Sequence, residues 1–349
     1  MKTENLKIAV VVPNHIVPKK EWLNALDEAT LNKADVIIVD DSHDQIFKGL
    51  YAETFKNWKV YDREDQRKEL GDKYARFSIF HRSSSSRNFG NYMAWKQEYD
   101  VIIGLDSDCN VPRDLVEWHI EGLNMVGHGW TNPIKIEGWF PRGYPYSERN
   151  RKVTANLGLW ENVLDINAKD RKDNEPKETH HRIEFSDGSI NNGEYEECNL
   201  VAESFIPFSG MNWAILREAM PGFLFLPNFN LSIKDREWKF RRHDDIWGGY
   251  IFQRFMELRN ERIAYGRPIV FHDTVLDIPA DIAEEEAMIA FENTFYGAVD
   301  LAMKKVTPGM YEEMMLQFYE VIKVEWAESE WQPLIDPIKV WTQLFLDIQ

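Results

Sequence analysis

Apolar positions in the first third of the chain come in short, nearly unbroken runs. Residues 8–12 form one such run before Pro13, residues 34–39 form a second before Asp40-Asp41, and residues 101–105 form a third before Asp106-Ser107-Asp108. Runs of that length predict strands buried on both faces, as in a parallel sheet covered by helices. Between the first two, residues 21–32 place Trp22, Leu23, Leu26 and Ala29 on one side of a helix. Strand, helix, strand in that order is a βαβ unit. Further helices are expected over 87–99, behind the serines of 83–86, and over 244–256, and a short strand over 268–271 leads to His272. Residues 205–216 read as strand or strand and turn. Residues 149–199, rich in charge, Asn and Gly, are expected to be irregular surface structure with a hairpin near Asp187-Gly188. From residue 279 the spacing is helical, in segments near 280–304, 308–324 and 336–348, divided by Pro308 and by Pro333 and Pro337. The pattern predicts an α/β domain over 1–278 and a helical extension over 279–349.

Hydrophobic residues make up 44% of the 349, enough for a sizeable core. A net charge of -17 disfavours broad nucleic-acid binding, although a cation and a few arginines can still hold a diphosphate. Cys109 and Cys198 lack the spacing of a zinc site or a disulfide framework and read as reduced thiols. The opening MKTENLKIAVVVP is too briefly apolar for a signal peptide, and no stretch approaches the roughly 18 apolar residues of a membrane helix. A cytoplasmic protein without membrane attachment is expected.

Ligands of such sheets sit beyond the carboxyl ends of the strands, where Asn14, Asp40, Asp41 and Asp106-Ser107-Asp108 fall. Two carboxylates at i and i+2 after an apolar strand suit Mg2+ or Mn2+ bridged to phosphate oxygens. Ser86 before Arg87 reads as a helix N-cap with amides turned toward an anion. Arg142 and Arg149 flank a Gly- and Pro-containing loop and offer guanidinium forks to a diphosphate. Asp244 and Asp245 open a helix, and His272 ends a strand. Each also has a structural reading: a turn, a capped helix, surface ion pairs, a packed histidine.

Taken together, the segments resemble the reversibly glycosylated polypeptide family, which includes the UDP-arabinopyranose mutases (glycosyltransferase family 75). The matching pieces, in order, are Val11-Val12-Pro13-Asn14; Ile37-Ile38-Val39-Asp40-Asp41; Ser84-Ser85-Ser86-Arg87-Asn88-Phe89-Gly90; Leu105-Asp106-Ser107-Asp108-Cys109; the loop from Arg142 to Arg149; Gly158-Leu159-Trp160; Pro207-Phe208-Ser209-Gly210-Met211-Asn212; and Asp244-Asp245-Ile246-Trp247-Gly248-Gly249, followed by His272. The resemblance implies a GT-A-type, Rossmann-like mixed sheet flanked by helices that uses a UDP-sugar with Mn2+ or Mg2+. It implies metal ligation by Asp106, Asp108 and His272, and nucleotide binding by Pro13, Asn14, Asp40, Asp41, Ser86, Arg87, Asp106 and Ser107. It implies catalytic roles for Arg142, Arg149, Asp244 and Asp245. The family's acidic triplet keeps its outer carboxylates here and loses the middle one, and its Phe-rich stretch is not recognisable over 127–136. The expected activity is exchange of pyranose and furanose forms of a UDP-sugar. Transfer of the sugar to a saccharide, a protein or a modified DNA base is an open alternative, as is a non-catalytic nucleotide-sugar-binding subunit. The C-terminal helices also suit a homo-oligomer interface.

Overall fold

A computed structural model describes residues 1, 6–14, 19–42, 51, 55, 57–78, 84–129, 139–163, 165–173, 200–202 and 204–346. In chain order the elements begin with β1 (Ile8–Asn14), α1 (Lys20–Thr30), β2 (Asp35–Asp40), β3 (Trp58–Tyr61), α2 (Arg63–Ser78), α3 (Arg87–Lys96) and β4 (Val101–Leu105). There follow β5 (Cys109–Asn110), α4 (Leu115–Leu123), β6 (Val126–Gly127), β7 (Arg151–Asn162), α5 (Ala168–Asp173), β8 (Leu200–Val201) and β9 (Asn212–Leu216). The chain ends with the hairpin β10 (Phe229–Ile233) and β11 (Arg236–Phe240), then α6 (Asp244–Leu258), β12 (Arg262–His272), α7 (Ile278–Met303), α8 (Tyr311–Glu325) and α9 (Gln332–Leu346).

Among the described residues one sheet runs β3-β2-β1-β4-β9-β7-β12-β5, with β6 beside β7 and β8 beside β12. The long strands β1, β2, β4, β7 and β12 run in the same direction, while β9 runs against β4 and β7. The expected mixed α/β sheet flanked by helices is therefore the observed architecture. Along β1 and β2, Ala9, Val11, Ile37 and Val39 enter one apolar core, and Ile8, Val10, Val12, Val36 and Ile38 enter the other. Burial on both faces explains the unbroken apolar runs. β1 continues through Pro13, whose missing N–H is tolerated because β4 has left the ladder after Val11 and Gly104. Gly90 lets α3 lie close on this sheet: a Cβ there would stand 2.5 Å from Val11 Cγ1.

One expectation is corrected. Residues 151–162, expected to be irregular, form the twelve-residue strand β7 inside the sheet. The expected hairpin near Asp187-Gly188 lies outside the described residues, as does Cys198, while Cys109 is a buried free thiol. The three helices expected after residue 278 are present and share the main core. α7 starts where Asp277 caps Ala280 N at 3.2 Å, and its Phe295 stacks on Trp247 of α6 at 4.1 Å. Trp341 of α9 donates to Pro221 O at 2.9 Å, and Phe345 meets Trp95 of α3. One continuous core thus joins the sheet face to all three helices. Among the described residues no helix is long and apolar enough to cross a membrane.

A buried polar knot ties the middle of the sheet to α4. Asn212 Nδ2 donates to Leu159 O and Pro268 O, which leaves its Oδ1 to accept from His119 Nε2 at 3.0 Å. Asn156 Nδ2 then donates to His119 Nδ1 at 2.9 Å, so the imidazole is the neutral Nε2–H tautomer. Burial pushes His119 down to about 3. Unfolded chains take up this proton below about 6.5 and the folded one does not, so His119 withdraws stability as pH falls from 6.5 toward 3. His119→Gln should flatten the unfolding free energy across that range by about 1.4 kcal/mol per pH unit. Urea titrations of both proteins at several pH values measure it; parallel curves would refute it.

Candidate functional site

The register places the carboxyl ends of β1, β2, β4, β7 and β12 along one edge of the sheet. Asn14 pairs with Asp40, Leu105 with Asn212 at the start of the opposed β9, and His272 with Asn162. This is the edge at which open α/β sheets bind ligands.

At its β1–β2 end, Asp40 Oδ1 accepts from Ser42 N at 3.0 Å and from the Ser42 hydroxyl, and Asp41 N donates to Asn14 O at 2.8 Å. Asn14 Nδ2 faces the Tyr51 hydroxyl at 3.5 Å, and burial pushes that phenol up to about 12. Arg63 Nη2 closes the turn on Ser42 O at 3.2 Å. Asn14, Asp40 and Asp41 are buried together, while Pro13 and Ser107 are half-buried nearby along the edge.

Arg87, expected with Ser86 to bind the nucleotide, turns its side chain inward. Ser86 makes no side-chain capping bond, and residues 84–86 form a tight turn that carries Arg87 inward. The Arg87 side chain is 3% exposed. Its Nη2 pairs with Asp106, its Nη1 donates to Gly210 O, and its plane lies 4.6 Å from the Phe225 ring. Burial raises the Asp106 carboxyl against the opposing pull of Arg87.

Residues 209–211 link the acidic groups. Gly210 N donates to Asp245 Oδ2 at 2.7 Å, the Ser209 hydroxyl donates to Asp165 Oδ2 at 2.8 Å, and Asp106 N donates to Met211 O at 3.2 Å. Gly210 is wrapped so closely that a Cβ would lie 3.2 Å from both Arg87 and Asp245. Burial, helped by the Asp244 and Asp165 charges, holds Asp245 well above the carboxylate range, and burial pushes Asp244 up to about 6 despite Arg87.

On the far side of Asp106, His272 Nε2 stands 3.4 Å from Asp108 Oδ2 while its Nδ1 donates to Val163 O at 2.8 Å. The hydrogen bond and charge of His272 outweigh burial and hold Asp108 below the ordinary value; Asp108 in turn raises His272 against burial. Asp106 is engaged by Arg87, and among the described residues no three His, Cys, Asp or Glu side chains are gathered closely enough to hold a metal ion.

Arg142 and Arg149 are not brought to this edge. Their loop precedes β7, whose far end is the one that meets His272. Arg149 O accepts from His128 Nδ1 at 2.7 Å, and His128 O accepts from Arg262 at the start of β12. Some ten residues of strand, on the order of 30 Å, separate that end from the acidic edge. Arg149 lies between the Tyr146 and Phe140 rings, at 3.8 and 4.7 Å, and holds Tyr144 O at 3.0 Å; Arg142 is exposed. The catalytic expectation for both is thus corrected: the strand that sequence reading took for irregular structure carries them to the opposite edge. The residues overlooked are Asp165, which follows β7, and Ser209 as its partner. A correct β7 would have flagged Asp165 as a carboxylate beyond a strand end.

A crystal structure of a mycobacterial protein is similar at 12% identity and a TM-score of 0.46, covering 84% of this chain and 76% of its own. A crystal structure of glucosyl-3-phosphoglycerate synthase from Mycobacterium tuberculosis, in complex with Mn2+, UDP and phosphoglyceric acid, is similar at 15% identity and a TM-score of 0.47, covering 84% and 79%. No curated protein matches significantly. The family model described as reversibly glycosylated polypeptide matches residues 3–348. That match spans every strand and helix of the sheet, its acidic edge and the C-terminal helices alike, and the chain belongs to the reversibly glycosylated polypeptide family.

Proposed function

We propose that this chain is a UDP-sugar-using enzyme of GT-A type that exchanges the pyranose and furanose forms of a sugar such as arabinose with the help of Mn2+ or Mg2+. The observation that carries the reading is the assembly of Asp106, Asp108, His272, Asp244 and Asp245 along one ligand-binding edge, in a chain that matches its family from end to end.

The β1–β2 end, with Asn14, Asp40 and Asp41, receives the nucleoside. Asp108 and His272 fit a hard divalent cation: a carboxylate oxygen and an imidazole nitrogen face each other, and the other ring nitrogen is fixed by a carbonyl, the usual support of a metal-binding histidine. Such an ion would take its remaining ligands from diphosphate oxygens and water, and would neutralise the leaving diphosphate. Asp244, at about 6, is mostly ionised at neutral pH and close to the value suited to accepting a proton from a sugar hydroxyl. Asp245, whose carboxyl is raised by burial and by the Asp244 and Asp165 charges, accepts from Gly210 N and Ile246 N and so holds the Gly210 turn.

Incubation of the protein with UDP-arabinopyranose, UDP-xylose, UDP-glucose and UDP-galactose plus Mn2+, followed by chromatography that separates ring isomers, tests this. The expected product is UDP-arabinofuranose. Label passing to an added acceptor with no ring isomer would replace mutase with transferase, and four unchanged nucleotide-sugars would overturn the reading.

A further inference from the structure

We infer that Glu285 of helix α7 is a positioning residue for the sugar end of this site, and that it acts by holding residues 165–168 so that Asp165 reaches the sugar. The inference rests on the proposed UDP-sugar reading.

Glu285 is 4% exposed although it is a carboxylate. Its Oε2 accepts from Ala168 N at 2.7 Å, the first residue of α5, and its Oε1 faces Arg242 Nε at 3.4 Å. One turn earlier on the same helix, Asp281 Oδ1 pairs with Arg242 Nη1 at 3.0 Å. A single face of α7 therefore grips two separate segments. Each carries site carboxylates a few residues away: Asp165 precedes Ala168, and Asp244 and Asp245 follow Arg242.

The two segments meet again at consecutive residues, since Ser209 holds Asp165 and Gly210 holds Asp245. Asp165 is itself exposed, beside an acid whose ionisation it opposes. Arg242 lies in the field of Asp281, Glu285 and Asp165 and offsets them. Two adjacent acceptors at the mouth of a site match the vicinal hydroxyls of a sugar, which donate to carboxylates. On this view the C-terminal region contributes to the site through one buried glutamate.

The test compares full-length wild type, Asp165→Asn, Glu285→Ala, the double variant and Glu285→Gln. Calorimetry with Mn2+ measures affinity for UDP and, as sugar-bearing probes, for UDP-arabinopyranose and UDP-glucose. Asp165→Asn is expected to weaken the sugar-bearing probes about tenfold and leave UDP unchanged. Glu285→Ala should reproduce that loss, the double variant should be no worse than either single one, and Glu285→Gln, which keeps an acceptor for Ala168 N, should restore most of it. Wild-type affinity in Asp165→Asn, multiplying losses in the double variant, or an equal loss of UDP and UDP-sugar in Glu285→Ala would overturn the inference. Should Glu285→Ala not fold, Asp165→Asn and Glu285→Gln still decide. Wild type that takes up neither UDP nor UDP-sugar would instead remove the functional reading on which it rests.

Discussion

Arg87→Met is expected to lower both stability and turnover more than any other single change at this edge. The guanidinium offsets Asp106 directly, opposes the raised states of Asp244 and Asp245, and fixes the Gly210 carbonyl. Methionine fills a similar volume against Phe225 but leaves a largely enclosed carboxylate without its counter-charge, a loss of about 3 kcal/mol. The Gly210 turn loses one of its two ties, and Asp245 and Ser209 shift with it. A displacement of about 1 Å at such a site reduces turnover about 100-fold. Arg87→Lys should recover little, because one ammonium cannot reach both Asp106 and Gly210 O while covering the Phe225 face. Chemical denaturation and steady-state turnover measure the two effects. Stability within 1 kcal/mol of wild type in Arg87→Met would show that Arg87 is not the counter-charge of the cluster.

The direction of the Arg87 side chain is not written in the local sequence. The residue's position at the start of a helix behind serines was legible, but the tight turn at 84–86 and the approach of α3 to the sheet permitted by Gly90 decide which way its side chain points. β1, β2 and β4 were legible because both their faces enter apolar cores. β7 was not, because its buried positions include Thr154 and Asn156. Thr154 donates to Glu261 at 2.7 Å and Asn156 Nδ2 donates to His119, partners more than thirty residues away in sequence that no local pattern reveals. Misreading β7 also misplaced what flanks it: the Arg142–Arg149 loop seemed free to join the site, and Asp165 had no strand end to follow. The three C-terminal helices were legible from their periodicity, whereas their union with the main core depends on Trp247, Phe295 and Trp341 meeting in three dimensions.

Asp108→Ala gives the second large effect, on metal-dependent nucleotide binding. Asp108 is the carboxylate that faces His272, whose Nδ1 is already committed to Val163 O. Removing it takes away the oxygen donor of the proposed pair and leaves a single imidazole, too little for an ion that prefers oxygen ligands. UDP affinity in the presence of Mn2+ should fall about 100-fold, while the weak metal-free affinity stays as in wild type, since Asn14, Asp40 and Asp41 lie at the other end of the edge. His272→Ala should follow the same pattern. Arg142→Ala and Arg149→Ala should leave both affinities unchanged, because β7 holds their loop at the opposite end of the sheet. Parallel titrations of UDP with and without Mn2+ separate these cases. An Asp108→Ala protein that keeps its full manganese-dependent gain in affinity would place the cation elsewhere, and a loss in Arg149→Ala as large as in Asp108→Ala would contradict the geometry of the strand.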